Sequence, residues 1–341
     1  MLAASCATTV NPQYDRSKPH HTPTGFRNNY VEELGNDRAS FWKWQWERLR
    51  AGLPRPPANG YAFPIVAADV PYLKANRSER TATWIGHATV LLQIGGVNIL
   101  TDPHLTARAS PVSFAGPVRK VPPALMFEEL PRIDVVVISH NHYDHLDEGT
   151  VRRLAAQSGG GPRFLVPLGV KAWFTGLGIM EVDEFDWWDR TTFGGVEFHF
   201  TPAQHWSARS WTDRSQTLWG GWYMRGAGMN ILFAGDTGYS KDFQDIATRL
   251  GRVDFAMLPI GAYEPRWFMR TQHVDPAEAV RIHQDLGAHL SLGVHWGTFE
   301  MTDEPLDEPP KKLAMALKEA AIDPARFVAV RHGETLRLSP R

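Results

Sequence analysis

The chain has 341 residues, of which 43% are hydrophobic and 21% charged, enough apolar material for a large buried core. Lysine and arginine number 36 against 37 aspartate and glutamate, a net charge of −1 with no basic stretch, which speaks against a nucleic-acid partner. The single cysteine, Cys6, excludes an intrachain disulfide and any zinc site built on cysteines, so a metal would have to be held by histidine and carboxylate.

Taken in chain order, Met1-Leu-Ala-Ala-Ser-Cys6 resembles the end of a bacterial lipoprotein signal whose charged and apolar upstream parts are missing. Two readings stand. In one, a lipidated Cys6 holds a peripheral membrane protein to the envelope, and in the other this is a plain tail on a cytoplasmic protein. Residues 1–37 lack periodicity and read as a tether that lies on the body or hangs free. Residues 38–80 read as an N-terminal helix, Ser40 to Arg50, with a proline-rich linker packing on the core. No apolar run approaches the roughly 18 residues a membrane-spanning helix requires.

Residues 81–341 then mix strands and helices as one catalytic domain. Thr81 to Asp102 alternates around Gly95-Gly96 as antiparallel strands, and Ile133 to Ser139 is a continuous apolar run suited to a buried strand. Further strands are expected at Arg163–Pro167, Val196–Thr201, Leu218–Met224, Asn230–Ala234, Phe255–Ile260 and Leu290–Val294. Helical spacing covers Asp275–Gly287 and Pro309–Ala321. The alternation of elements predicts a layered α/β fold.

The buried strand ends on Ser139-His140-Asn141-His142-Tyr143-Asp144-His145, four ligand-type side chains within six residues. Neutral imidazoles and a carboxylate at this spacing suit zinc. Three more candidates follow apolar strands: His205, Asp236 and His295. A lone histidine is more often an ordinary core or surface residue. His20, His21, His104, His289 and His332 have no ligand partner nearby in sequence, His199 alternates with Phe198 and Phe200 on a strand and His283 falls on a helix, so all are read that way.

His-x-His-x-Asp-His with a later lone histidine, a Gly-Asp-Thr-Gly and a final histidine resembles the metallo-β-lactamase superfamily. The resemblance implies an αββα sandwich, two mixed sheets flanked by helices, with two Zn2+ at one edge. By motif position, His140, His142 and His205 would hold one zinc, Asp144, His145 and His295 the other, and Asp236 would bridge them. The superfamily's di-iron branch carries glutamate where His142 stands, so the resemblance is to the zinc branch.

Trp84-Ile-Gly-His-Ala-Thr89, Leu100-Thr-Asp-Pro103, Gln204-His-Trp206, Phe233-Ala-Gly-Asp-Thr-Gly-Tyr239, Pro259-Ile-Gly-Ala-Tyr-Glu-Pro-Arg-Trp-Phe-Met269, Gln272-His-Val-Asp-Pro276 and His295-Trp-Gly-Thr-Phe299 resemble the N-acylphosphatidylethanolamine-hydrolysing phospholipase D family over roughly residues 80 to 336. That resemblance implies release of phosphatidic acid and an N-acylethanolamine through a zinc-activated hydroxide. It implies catalytic roles for Asp144 and His273, substrate contacts from Tyr263, Arg266, Trp267 and Gln272, and a supporting role behind the metal ligands for His87. The partners it implies are a phospholipid and a membrane surface touched peripherally, with a homodimer as a further expectation. For a lipid surface, Phe41, Trp42, Trp44 and Trp46 with Lys43, Arg48 and Arg50 offer an apolar and basic landing face, while core packing of the same helix is the plainer reading. Two rivals are a hydrolase of lactones or small phosphodiesters on the same scaffold and a metal-binding protein without catalysis. The filled ligand positions and Asp144 speak against the latter.

Overall fold

A computed structural model describes residues 10–53 and 55–339; Cys6 and the signal-like start lie outside these. Two seven-stranded sheets form the centre. The first runs, edge to edge, through Thr335–Arg337, Thr81–Gly86, Thr89–Ile94, Val97–Thr101, Val135–Val137, Arg163–Pro167 and Val182–Phe185. The second runs through Arg190–Phe193, Val196–Thr201, Gly221–Gly226, Met229–Phe233, Phe255–Pro259, Leu290–Val294 and Phe327–Val328. Both show the same pairing sequence, three antiparallel pairs and then three parallel ones.

Period-two alternation decides which sheet face meets which layer. Trp84, Val90, Leu92, Ile99, Val135 and Val137 of the first sheet share one core with Phe198, Phe200, Trp222, Met224, Ile231 and Phe233 of the second. The alternate residues Ile85, Leu91, Leu100, Val136, Phe164 and Val166 face a separate cluster with Val151 and Leu154 of the helix Glu148–Ala155. On the far side, helices Pro276–Asp285 and Pro309–Glu319 bury Ala279, Val280, Ile282, Leu313 and Leu317. The result is the helix–sheet–sheet–helix sandwich that the sequence implied.

Two boundaries differ from the sequence reading, each for a physical reason. The strand expected over Ile133–Ser139 is paired only over Val135–Val137. The Ile138 carbonyl accepts the Trp222 indole N–H at 2.8 Å, and the Ser139 amide donates to Asp102 Oδ1 at 2.7 Å, so the backbone leaves the ladder there. The strand expected to start at Leu218 begins at Gly221, because the Leu218 and Gly220 amides reach across to Leu168 and Ser139 of the other sheet.

From residue 10 onward the N-terminal segment lies on the body as a strap. Phe26 enters the main core, and its amide donates to the Ser215 carbonyl at 2.8 Å. Gly25 sits so close to that carbonyl that a Cβ would come within 2.2 Å of it, which explains a glycine at this point. A buried carboxylate, Asp186, latches the strap. It accepts from Lys18 Nζ at 2.5 Å, His20 Nε2 at 2.6 Å, His21 Nε2 at 2.9 Å and the Trp187 amide at 2.7 Å. His20 also stacks on Trp187. Sequence reading gave these histidines no partner because Asp186 stands more than 160 positions away.

Burial alone would raise the Asp186 pKa, but the His20 and Lys18 bonds outweigh it and hold the carboxyl below its usual 3.8. A depressed folded-state value means that the latch contributes fully above about pH 4 and is lost as acid protonates the carboxylate. Asp186→Asn is expected to lower stability at pH 7 by about 3 kcal/mol, the scale of breaking a buried charged pair. The gap to the parent should narrow as pH falls towards 3. Denaturant titrations at the two pH values measure this, and an unchanged midpoint at pH 7 would contradict the latch.

Candidate metal centre

The candidate ligands converge where strands of both sheets end. Asp102 follows the strand Val97–Thr101, His140 to His145 follow Val135–Val137, and Asp236 and His295 follow Met229–Phe233 and Leu290–Val294 of the second sheet. His205 comes from the loop after Val196–Thr201. Gly235, just before Asp236, has φ +64°, and a Cβ there would lie 2.6 Å from that of Ser139, so only glycine lets the Asp236 loop close on the His140 loop. His87, Asp102 and His295 are non-glycine residues with φ of 54°, 32° and 63°. Three such residues meeting at one place cost about 1 kcal/mol or more each, strain that clusters at functional sites.

Two groups of ligand atoms result. In one, His140 Nε2 lies 2.8 Å from His142 Nδ1, which lies 3.3 Å from His205 Nε2. In the other, His145 Nε2 is 3.1 Å from Asp144 Oδ2 and 3.2 Å from His295 Nε2, and His295 Nε2 is 3.3 Å from Asp144 Oδ2. Asp236 Oδ2 stands between the groups, 3.1 Å from His145, 3.2 Å from His295 and 3.9 Å from His205. All are buried except His142, which is half-buried and opens the site outward.

In three of the rings the second nitrogen shows what the inward one does. His145 Nδ1 donates to Asp102 Oδ2 at 2.7 Å, and His205 Nδ1 donates to the Gln272 carbonyl at 2.9 Å. The Ser139 hydroxyl gives its proton to Asp102 and so accepts from His140 Nδ1 at 2.9 Å. With these protons directed outward, three Nε2 lone pairs face inward beside two carboxylates. Lone pairs and anions crowded this closely fit a cation and little else. His142 Nε2 and Asp236 Oδ1 are also buried without partners.

Electrostatics divides the same groups. Burial lowers His142 and His205 to about 3 and His140 well below its ordinary range, leaving them neutral as metal ligands must be. Burial also opposes charge on His145 and His295, yet Asp236 and Asp144 outweigh it, raising His295 to about 9 and His145 well above its normal value, so the two carboxylates draw a positive charge to these rings that a bound cation would supply in place of the ring protons. For Asp144 and Asp236 burial is likewise overcome, by the His145 and His295 rings, and both carboxyls stay far below the carboxylate range.

His87 stands behind this set, its Nε2 2.9 Å from Asp144 Oδ2, while its carbonyl accepts the His295 amide at 3.0 Å. His273 is half-buried and turns an unpartnered Nδ1 towards the centre, 3.8 Å from Asp236 Oδ2.

The residues expected to contact substrate are placed differently. Tyr263 is fully buried, with its hydroxyl on Glu308 at 2.7 Å. Arg266 pairs with Glu278 at 2.6 Å and donates to the His273 carbonyl at 2.9 Å, so it braces that loop from behind. Trp267 lies on the outer surface under the Lys43 ammonium. Gln272 is buried, its side-chain oxygen accepting the Trp206 indole at 2.6 Å and its carbonyl the His205 ring. Within this stretch Gln272 positions the His205 ring and Arg266 braces the His273 loop. Asp102 and Ser139 were assigned no role from sequence, although Asp102 ends an apolar strand as Asp236 does.

Residues 97–296 match the family model described as beta-lactamase superfamily domain. Over 275 residues, 76% of each chain, the protein is 42% identical to N-acyl-phosphatidylethanolamine-hydrolyzing phospholipase D 1 of Caenorhabditis elegans. It is 38% identical to the mitochondrial enzyme of that name from Saccharomyces cerevisiae over 68% of this chain and 51% of the yeast one. Among solved structures, an isothiocyanate hydrolase from Delia radicum gut bacteria superposes with a TM-score of 0.59 at 20% identity, over 76% of this chain and 100% of that one, a likeness of fold. With a ligand cage suited to cations at the shared edge of its two sheets, this chain is a metal-dependent hydrolase and belongs to the N-acylphosphatidylethanolamine-hydrolysing phospholipase D family of the metallo-β-lactamase superfamily.

Proposed function

We propose that the protein hydrolyses N-acylphosphatidylethanolamine at a lipid surface, with two zinc ions held by His140, His142 and His205 and by Asp144, His145 and His295, and with Asp236 shared between them. The observation that carries this is the two-group cage of nitrogen and oxygen ligands in a chain so similar to the nematode phospholipase D. Histidine and carboxylate without cysteine favour zinc over softer or harder metals. A zinc pair supplies Lewis acidity, lowers the pKa of a water and offsets charge on phosphoryl oxygens.

The chain's own residues do the rest. Asp144 takes a hydrogen bond from the His87 ring behind it and orients the attacking water. His273 sits where its ring can bond a phosphoryl oxygen or pass a proton to the departing alkoxide. The water oxygen bonds to phosphorus, the bond from phosphorus to the ethanolamine oxygen breaks, and that oxygen receives the proton. Phosphatidic acid and an N-acylethanolamine leave.

A surface beside the site suits a membrane. The helix Arg38–Ala51 buries Trp44 against Phe268 but exposes Trp42, Trp46 and Leu49. Their spacing of four and three residues aligns them as one stripe. Exposed Trp211 and Trp267 extend it, tied in by Phe41 at 6.2 Å and Lys43 at 4.4 Å, and Arg38, Lys43 and Arg50 add positive charge. Aromatic rings with cationic neighbours favour the interfacial zone of an anionic bilayer.

Mass spectrometry of products from vesicles containing N-acylphosphatidylethanolamine, with a lactone and an aryl phosphodiester assayed beside them, tests the reading. N-acylethanolamine and phosphatidic acid in equal amounts are expected from the zinc-loaded chain. Turnover of the lactone alone would refute the proposal.

A further inference from the structure

The loop that carries His205 has no sheet of its own to hold it. Residues 202–207 follow the strand Val196–Thr201 without regular pairing beyond the single bridge from Gln204 to Gly238. A backbone amide and carbonyl at such a position need partners from elsewhere. For His205 both come from one side chain, Asn28, 177 positions earlier. Asn28 Nδ2 donates to the His205 carbonyl at 3.0 Å, and Asn28 Oδ1 accepts the His205 amide at 3.0 Å. The same oxygen accepts the Trp219 indole at 3.1 Å, which fixes the orientation of the amide group.

A second strap asparagine works on the ring side of His205. Asn36 is buried and donates through Nδ2 to Gln272 Oε1, while its own oxygen accepts from Arg214. Gln272 in turn supplies the carbonyl that orients the His205 ring. Between these contacts Thr271 donates to the Leu34 carbonyl. The strap thus grips His205 twice, once by its backbone and once through Gln272, and the Asp186 latch fastens the strap itself.

We infer that Asn28 is a positioning residue of the metal centre, which makes the N-terminal strap a working wall of the site. The inference rests on the assignment of His205 as a metal ligand. Removing the amide frees the His205 backbone, and the Nε2 that meets His142 Nδ1 at 3.3 Å loses its fixed direction. Hydrogen-bonding partners behind a metal ligand typically govern affinity by 10–100-fold.

Three variants of the full chain, loaded with zinc for affinity and with cobalt(II) for spectra, test this. Asn28→Ala is expected to weaken one metal by about 10–100-fold in competition with a chromophoric chelator and to alter the cobalt absorption bands. Asn11→Ala removes three bonds inside the strap, two donated to the Thr22 and Gly25 carbonyls and one accepted from the Gln13 amide, without touching His205. It should lower stability and leave affinity and spectrum as in the parent. His205→Ala should lose a metal outright. Parental affinity and spectrum in Asn28→Ala would overturn the inference, as would equal spectral change in Asn11→Ala. Full metal content in His205→Ala would instead remove the ligand assignment beneath it.

Discussion

Asp144→Asn is expected to lower turnover by about a thousandfold while leaving the fold intact. Asparagine has the shape of aspartate, so the buried space it fills is unchanged, and a stability shift within about 1–2 kcal/mol is expected. What changes is charge and donor pattern. In the parent, one oxygen of Asp144 meets His87 at 2.9 Å, His145 at 3.1 Å and His295 at 3.3 Å. An amide can accept there with its oxygen only as a weaker, neutral partner, and its nitrogen brings protons where an anion stood. Steady-state kinetics with metal content measured on the same samples decides the matter. Near-normal turnover with both metals retained would refute the role given to Asp144.

Asp236→Ala should have an effect of similar size through a different route. Its Oδ2 faces histidines from both ligand groups, and among the described residues no other carboxylate pairs with His205. Without it, uncompensated imidazoles face one another, and metal occupancy should fall to one ion per chain or fewer. Bound metal stabilises the parent by RT ln(1 + [L]/Kd), about 2.7 kcal/mol at a hundredfold excess over Kd. The rise in melting temperature on adding zinc should therefore shrink sharply in this variant, and activity should drop by roughly a thousandfold. An undiminished zinc-induced rise would show that Asp236 is not shared between the metals.

Much of this was readable in the sequence because the cage is announced locally. His140 to His145 fall within one short loop, and strand endings mark Asp236 and His295 by the same switch from apolar run to polar residue. A layered α/β fold followed from the alternation of strands and helices, and the paired-sheet sandwich from the family resemblance. Other features were not readable because topology alone creates them. Asp102 supports His145 only once neighbouring parallel strands bring their ends together. Asn28, His20 and His21 find partners more than 160 positions away, and no local pattern distinguishes them from loop residues. The stretch from Tyr263 to Gln272 gave a signal of another kind. It is distinctive in sequence, yet its polar atoms are spent on bracing the loops beneath the site.

The matched pairing order of the two sheets has a mechanical corollary. Corresponding strand ends of each half deliver corresponding groups, Asp102 from one and Asp236 from the other, with the His140 loop on one side of the seam and His205 and His295 on the opposite side. A cation seated there would act as a rivet through both plates. Chelation should accordingly speed amide exchange in both sheets together, for the shear that parts the ligands is the same motion that slides Trp84 past Trp296, on which it stacks.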